Sequence, residues 1–502
     1  MTRRQLVLTA AVFAGFAAFA AWRSPVPGLN EPHYLSKAKH FSDPAWCAKD
    51  FFVASADAHW VFYALFGPAT RFLSLDQTAW AGRVLVWGGL ALGWVRLVGR
   101  ILPGSFSPIW AASLFLALQA TGNLSGEWLV GGVEAKGFAY AALLWALAAA
   151  CNRSSIEAGI AAGVAISFHP VVGVWGVIAL VLARFTQDES PSPESWRSRL
   201  LAVALCAACS LPGLVPALAL LADRPAVELA RAADEVQVFE RLKHHLNPAR
   251  FSTAGYVSYA AMLAVWLVSR RLTEPSAAER FFARFVLGTL LIALGGLVCG
   301  LGLRSAGLMK FYPFRLFDVF LPIAVSIAAA GLLAHLAALW SAPSAIGTPI
   351  TAKAAGHAVA GAALMWAFAA PGRDQNAGRW PAEYWTEFVT ACEWIERNTP
   401  SDALFLTPRY NVGFKWYAQR AEYFTWKDCP QDAAGILEWK SRLGRMTRWQ
   451  NREDRFSESA LAGLQHETGV DFLLAVESNP YPTRPVYPNR FFSVYAIHPA
   501  RE

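Results

Sequence analysis

The chain is short of charge. Asp, Glu, Lys and Arg make up 16% of its 502 residues, against roughly 25% in an ordinary soluble domain. With 55% hydrophobic and 13% aromatic residues, that shortage excludes a wholly water-soluble protein. A Gly-rich phosphate loop, a zinc-type Cys/His pattern and a nucleic-acid module are also missing. Their absence argues against a soluble nucleotide-sugar donor, a nucleotide cofactor and a nucleic-acid partner. Cysteine is sparse, at seven. Cys206 and Cys209 form a CxxC inside an apolar run, with no second pair and no His nearby, so they read as small residues at a helix contact. Cys392 and Cys429 both follow the last apolar run, and a disulfide between them stays open.

What the chain has is apolar runs, near 5–21, 79–100, 106–121, 138–151, 156–168, 170–186, 199–221, 254–270, 282–303, 315–340 and 354–370. They read as eleven spans of a mainly α, polytopic helical bundle in a lipid bilayer. His169-Pro170 splits two of them into a tight hairpin or a broken helix. The 21 Trp residues suit interfacial belts. Lys and Arg, which give a net charge of +8, gather in the short loops of one face (Arg96, Arg100, Arg153, Arg270, Arg271, Lys353), placing the N-terminus in the cytoplasm. Trp22-Arg23-Ser24-Pro25 is a poor cleavage site, so the first run reads as an uncleaved span.

This topology divides the chain into a membrane domain, 1–371, with a long first outer loop at 22–78, and an extracytoplasmic α/β domain, 372–502. In the second, helices are expected at 381–398, 430–446 and from Ser457, and strands at 403–406, 421–425, 470–476 and 491–497, with mixed pairing. The stretch 407–420, with Trp426-Lys427-Asp428, is basic and aromatic. It reads either as a face for an anionic or carbohydrate ligand or as a loop packed on the sheet.

Ionisable residues at span ends are costly unless paired, wet or useful. Five outer loops carry them: Glu31, His33, Asp50 and His59 in the first; Glu127, Glu134 and Lys136 in the second; His169; His244 and His245; Lys310 and Arg315. Carboxylates suit general-base or metal work. Arginine, lysine and histidine suit a phosphate group.

Glu31-x-x-Tyr34-x-x-x-Ala38, Trp46, the aromatic stretch from His59 to Gly67, and Trp80-Ala81-Gly82-Arg83-Val84-Leu85 together resemble the opening of polytopic GT-C glycosyltransferases, over about 80 residues. Asn30 stands where many of those relatives carry a second acid. The resemblance implies transfer of a sugar from a polyprenyl-phosphate donor to an envelope glycan, lipid or protein at the outer face. It implies Glu31 as catalytic base or metal ligand, with Tyr34, His33 and the basic outer residues around the substrate. A divalent metal is compatible but not required. Thr407-Pro408, Trp426-Lys427 and Glu438-Trp439 resemble an uncharacterised bacterial membrane-protein family, implying a multi-pass protein of the bacterial inner membrane. Two other readings stay open: a transporter or flippase of a lipid-linked or anionic solute, favoured by His169-Pro170, and a non-catalytic membrane protein whose outer domain binds envelope polymer.

Overall fold

The computed structural model describes residues 2–185, 195–222, 226–272, 274–340, 349–455, 457–476 and 484–497. Helix α1 (Arg3–Arg23) opens on a capping box in which Thr2 and Gln5 exchange hydrogen bonds. The short helices α2 (Glu31–Ser42) and α3 (Trp60–Phe66) lead to α4 (Leu75–Ile101), which Ser74 and Gln77 cap in the same way. Then come α5 (Ser107–Thr121), α6 (Ala135–Cys151), α7 (Ser155–Phe168), α8 (Pro170–Phe185), α9 (Trp196–Ala222), α10 (Val227–Glu235) and α11 (Lys243–Leu246). Helices α12 (Thr253–Ser269), α13 (Ala277–Leu297), α14 (Ala306–Met309), α15 (Arg315–Trp340) and α16 (Pro349–Ala369) complete the bundle.

Each expected apolar run coincides with a helix. Five of the described helices, α1, α4, α9, α13 and α15, are long and apolar enough to cross a membrane by length and composition. Helices α6, α7, α8 and α12 are apolar but have 17, 14, 16 and 17 residues, short of the roughly 20 that a crossing takes at 1.5 Å per residue. Among the described residues these five helices meet the measure of a crossing, which is compatible with a multi-pass membrane protein; the count of eleven spans is not confirmed by it.

Small residues set the helix contacts. On α7, a Cβ at Gly159 or Gly163 would lie 2.3 Å from Ala202 O or 2.4 Å from Cys206 O of α9. Cys206 and Cys209 line that contact, as their place in the sequence suggested. Ser167 enters the α9 backbone ladder, donating to Cys209 O and accepting from Gly213 N–H. At His169 the chain reverses so tightly that a Cβ on Gly173 would meet Ile166 N at 2.3 Å.

Beyond the bundle, α17 (Ala382–Asn398), β1 (Leu404–Leu406), α18 (Phe414–Ala418), β2 (Ala421–Glu422), α19 (Ala433–Gln450), α20 (Glu458–Thr468), β3 (Phe472–Val476), β4 (Tyr487–Pro488) and β5 (Phe492–Ala496) build a five-stranded sheet. Its order is β2-β1-β3-β5-β4, with β1 parallel to β2 and β3, and β5 antiparallel to β3 and β4. The strand period of two splits its core. Phe405, Leu474 and Val494 pack with Phe388, Cys392 and Ile395 of α17. Leu404, Leu406, Leu473 and Tyr495 face Trp439 and Leu443 of α19 and Leu461 of α20. Cys392 belongs to the first layer and Cys429 to the second, and both are free. The disulfide left open between them is therefore not formed. Cys47, Phe52 and Val53, between α2 and α3, join the second layer, so that loop is built into the sheet's own core.

Candidate functional site

Glu31 sits in the first turn of α2 and is 1% exposed. Its carboxylate accepts four hydrogen bonds: from Arg83 Nε and Nη2 of α4 at 2.6 and 2.9 Å, from Gly28 N–H at 2.6 Å and from Val133 N–H at 2.8 Å. Arg83 also donates to the carbonyls of Ser24 and Pro25. The pair is bidentate, charge-assisted and dry, which ties the first loop, α4 and the second loop together. All four acceptor positions of the carboxylate are in use.

Beside this anchor lies a second cluster. Arg315, at the start of α15, places Nε 3.0 Å from Glu127 Oε2. Lys136 places Nζ 3.3 Å from Glu127 Oε1 and 3.5 Å from Glu134 Oε2, and lies 4.2 Å over the Trp128 ring. Glu127, Glu134 and Lys136 are all buried. Yet Arg315 Nε and Glu127 Oε1 make no directed hydrogen bond, despite those distances. Charge holds the cluster, not aligned donors. Arg315 also donates from Nη1 to His169 Nε2 at 3.1 Å. The His169 ring lies 4.9 Å from that of His59, which lies 5.3 Å from Tyr34. His59 Nδ1 is buried without a hydrogen bond. Burial first, then the charges of His33, Arg315 and Lys37, push the His59 imidazole down to about 3.

The sheet domain closes over this cluster. Asn30 donates to Glu134 Oε1 at 2.6 Å, and Lys427 donates to Asn30 Oδ1. His33 Nδ1 lies 2.9 Å from Asp428 Oδ1, and Asp428 Oδ2 lies 2.7 Å from Lys415. Lys415 is also 2.7 Å from Glu422 and 3.2 Å from Asp50. Burial opposes the Asp428 carboxylate, but Lys415 and His33 outweigh it and hold Asp428 well below the usual range. Burial, then Arg241, brings the Lys427 ammonium down to about 8.

The expected residues thus fall into groups. Tyr34, His59, Glu134, Lys136, His169 and Arg315 converge at the junction, with His33 bridging to the sheet. Asp50 belongs to the sheet side: it accepts from the backbone N–H of Phe52, Val53 and Glu422. Lys310 pairs with Asp234 at 2.8 Å, apart from the cluster. His245 donates from Nδ1 to Ser125 O at 2.6 Å, and the Ser125 backbone N–H in turn donates to Asp318. Its ring lies 4.1 Å from that of His244, and burial, then His244, holds it down to about 2. Sequence reasoning gave Arg83 no role in the site, and placed Lys415 and Arg241 only within basic stretches, 407–420 and 241–248. The available signal for Arg83 was a charge inside an apolar run. Among the described residues, no group of three or more His, Cys, Asp or Glu side chains is placed to hold a metal. With Glu31 saturated by nitrogen donors, this donor set does not fit a divalent ion.

Residues 386–446 match a family described as Domain of unknown function (DUF6798). The match runs from within α17 to within α19 and includes Lys415, Lys427 and Asp428. No curated protein matches the chain.

Proposed function

We propose that this protein is a membrane glycosyltransferase of the GT-C kind. It would take a sugar from a polyprenyl-phosphate donor and act at the outer face of the bacterial inner membrane. The N-terminus lies in the cytoplasm, and the sheet domain, 372–502, lies outside. What carries the reading is the strained balance around Glu127: two cations within ion-pair distance, and polar atoms on both sides without aligned bonds. An incoming donor phosphate draws Arg315 and Lys136 onto itself and frees the Glu127 carboxylate to accept from the acceptor hydroxyl. Glu127 then takes the proton of the acceptor hydroxyl. The hydroxyl oxygen bonds to the anomeric carbon, and the carbon–phosphate oxygen bond breaks. Polyprenyl phosphate leaves with its charge on Arg315 and Lys136. Glu31, given the base role by the resemblance, is reassigned in this proposal to hold the loops in place.

The test is release of polyprenyl phosphate from a labelled donor by purified protein in bilayer discs. The wild type should turn over, and Glu127→Gln should lose about 10²- to 10⁴-fold. Unchanged turnover in that variant, or none in the wild type, removes the proposal. A transporter of an anionic or lipid-linked solute is the second reading, favoured by the reversal between α7 and α8 at His169.

A further inference from the structure

Two segments far apart in the chain meet beside Lys427. Trp426 N–H donates to Arg409 O at 2.8 Å, and Arg241 donates to Lys427 O at 2.6 Å. Both segments are thereby fixed to one strip of backbone. The rings of Tyr410 and Trp426 lie 6.0 Å apart, and Tyr410 is 59% exposed. The guanidiniums of Arg409 and Arg241 stand 4.9 and 5.8 Å from the same Trp426 ring. The Nε atoms of both arginines are shielded from solvent and have no partner.

The charge here is unbalanced. At the junction, Arg83, Lys136, Arg315 and Lys415 each face a carboxylate. Among the described residues, Arg241, Lys243, Arg409 and Lys427 form no ion pair, and Arg409 makes no hydrogen bond from its guanidinium. His244 lies beside them, and partial burial, then the fields of Arg241, Lys427 and Lys243, lower its pKa. A cluster of like charges on an aromatic floor is a poor interior and a good receiving surface. Its complement has apolar faces to lie on rings and anionic groups to meet forked donors.

We infer that Arg241, Arg409, Tyr410 and Trp426, with Lys243 at the edge, bind an anionic saccharide, which is the acceptor of the site next to Lys427. The use made of that saccharide rests on the transferase reading; its binding does not. Tyr410 and Trp426 take the sugar faces, and the two guanidiniums take carboxylate or phosphate substituents. The rest of the stretch 407–420 is interior, since Phe414, Lys415, Trp416 and Ala418 are buried in α18. The bland reading of a packed loop holds for that part, and the ligand face is confined to Arg409, Tyr410 and Trp426.

The experiment is calorimetric titration of the full chain in detergent, without donor, using a galacturonate oligomer and a neutral glucan of equal length. Saturable binding of the uronate is expected, at least about tenfold tighter than the glucan, weakening with salt. Arg409→Gln and Tyr410→Ala should each weaken it about tenfold, while Tyr410→Phe retains it and shows that the fold is intact. Equal affinity for both oligomers, or wild-type affinity in both weakened variants, overturns the inference. So does selective binding of phosphatidylglycerol vesicles, lost in the same variants, without uronate binding. Uronate binding without sugar transfer would sink the transferase reading and leave this one. Transfer without uronate binding would do the reverse.

Discussion

Glu31 and Glu127 are two buried carboxylates, each facing an arginine, and they differ in one respect. Glu31 has a bidentate Arg83 and two backbone amides, with every acceptor position used. Glu127 has two cations at ion-pair distance and an oxygen left without a directed bond. Burial alone does not mark a reactive group. A saturated buried ion pair is an anchor, costly to break and indifferent to small ligands. An unsaturated one holds free energy that a better-fitting anion can release.

The largest expected effect comes from breaking the anchor. Glu31→Gln leaves Arg83 charged and buried against an amide, and should cost about 3–5 kcal/mol of stability, read as a lowered denaturation midpoint in detergent. If the midpoint stays put, the contrast between the two carboxylates fails.

Acid should loosen the junction next. His59 is held at about 3 in the folded chain, against about 6.5 when unfolded. Between those values the unfolded state binds the extra proton, so stability is intact above pH 6.5 and falls as pH drops towards 3. The slope is about 1.4 kcal/mol per pH unit for this residue. Asp428, with its folded pKa depressed by Lys415, adds a loss in the same direction at the acid end. His59→Asn should flatten the upper part of a pH-dependent unfolding curve; an unchanged slope would mean His59 is not held neutral.

Smaller again is the helix contact. Gly213→Ala puts a Cβ 1.9 Å from Ser167 O, and should cost about 1–3 kcal/mol in overpacking without touching either carboxylate. Smallest of all is reductant. Every described cysteine is free, so unfolding with and without dithiothreitol should agree within about 0.5 kcal/mol. A larger shift would reveal a disulfide.

The helices were legible because apolar runs and their caps are local, as with Ser74 and Gln77 at α4. In the sheet domain α17, β1, β2, α19, α20, β3 and β5 were legible for the same reason, whereas α18 and β4, of five and two residues, are too short to leave a pattern. Span number was less so, because hydropathy marks helices such as α7 without telling a crossing from a short buried helix. The candidate site was legible as a set of ionisable residues in the loops between apolar runs, but not as bonds. Glu31 meets Arg83 from 52 residues away and His33 meets Asp428 from 395 away. No local pattern says which carboxylate a cation will choose. The resemblance drew attention to Glu31, whose residue type and position suit a base; only its partners separate a base from an anchor.

The most direct measurement compares Glu127→Gln with Glu31→Gln for turnover of a polyprenyl-phosphate sugar, each rate divided by the folded fraction in the same preparation. Glu127→Gln is expected to lose at least about 100-fold in turnover per folded molecule. Glu31→Gln should lose folded protein while each folded molecule keeps near-wild-type turnover. A well-folded, inactive Glu31→Gln beside an active Glu127→Gln would contradict the account, and would return the base to the first loop.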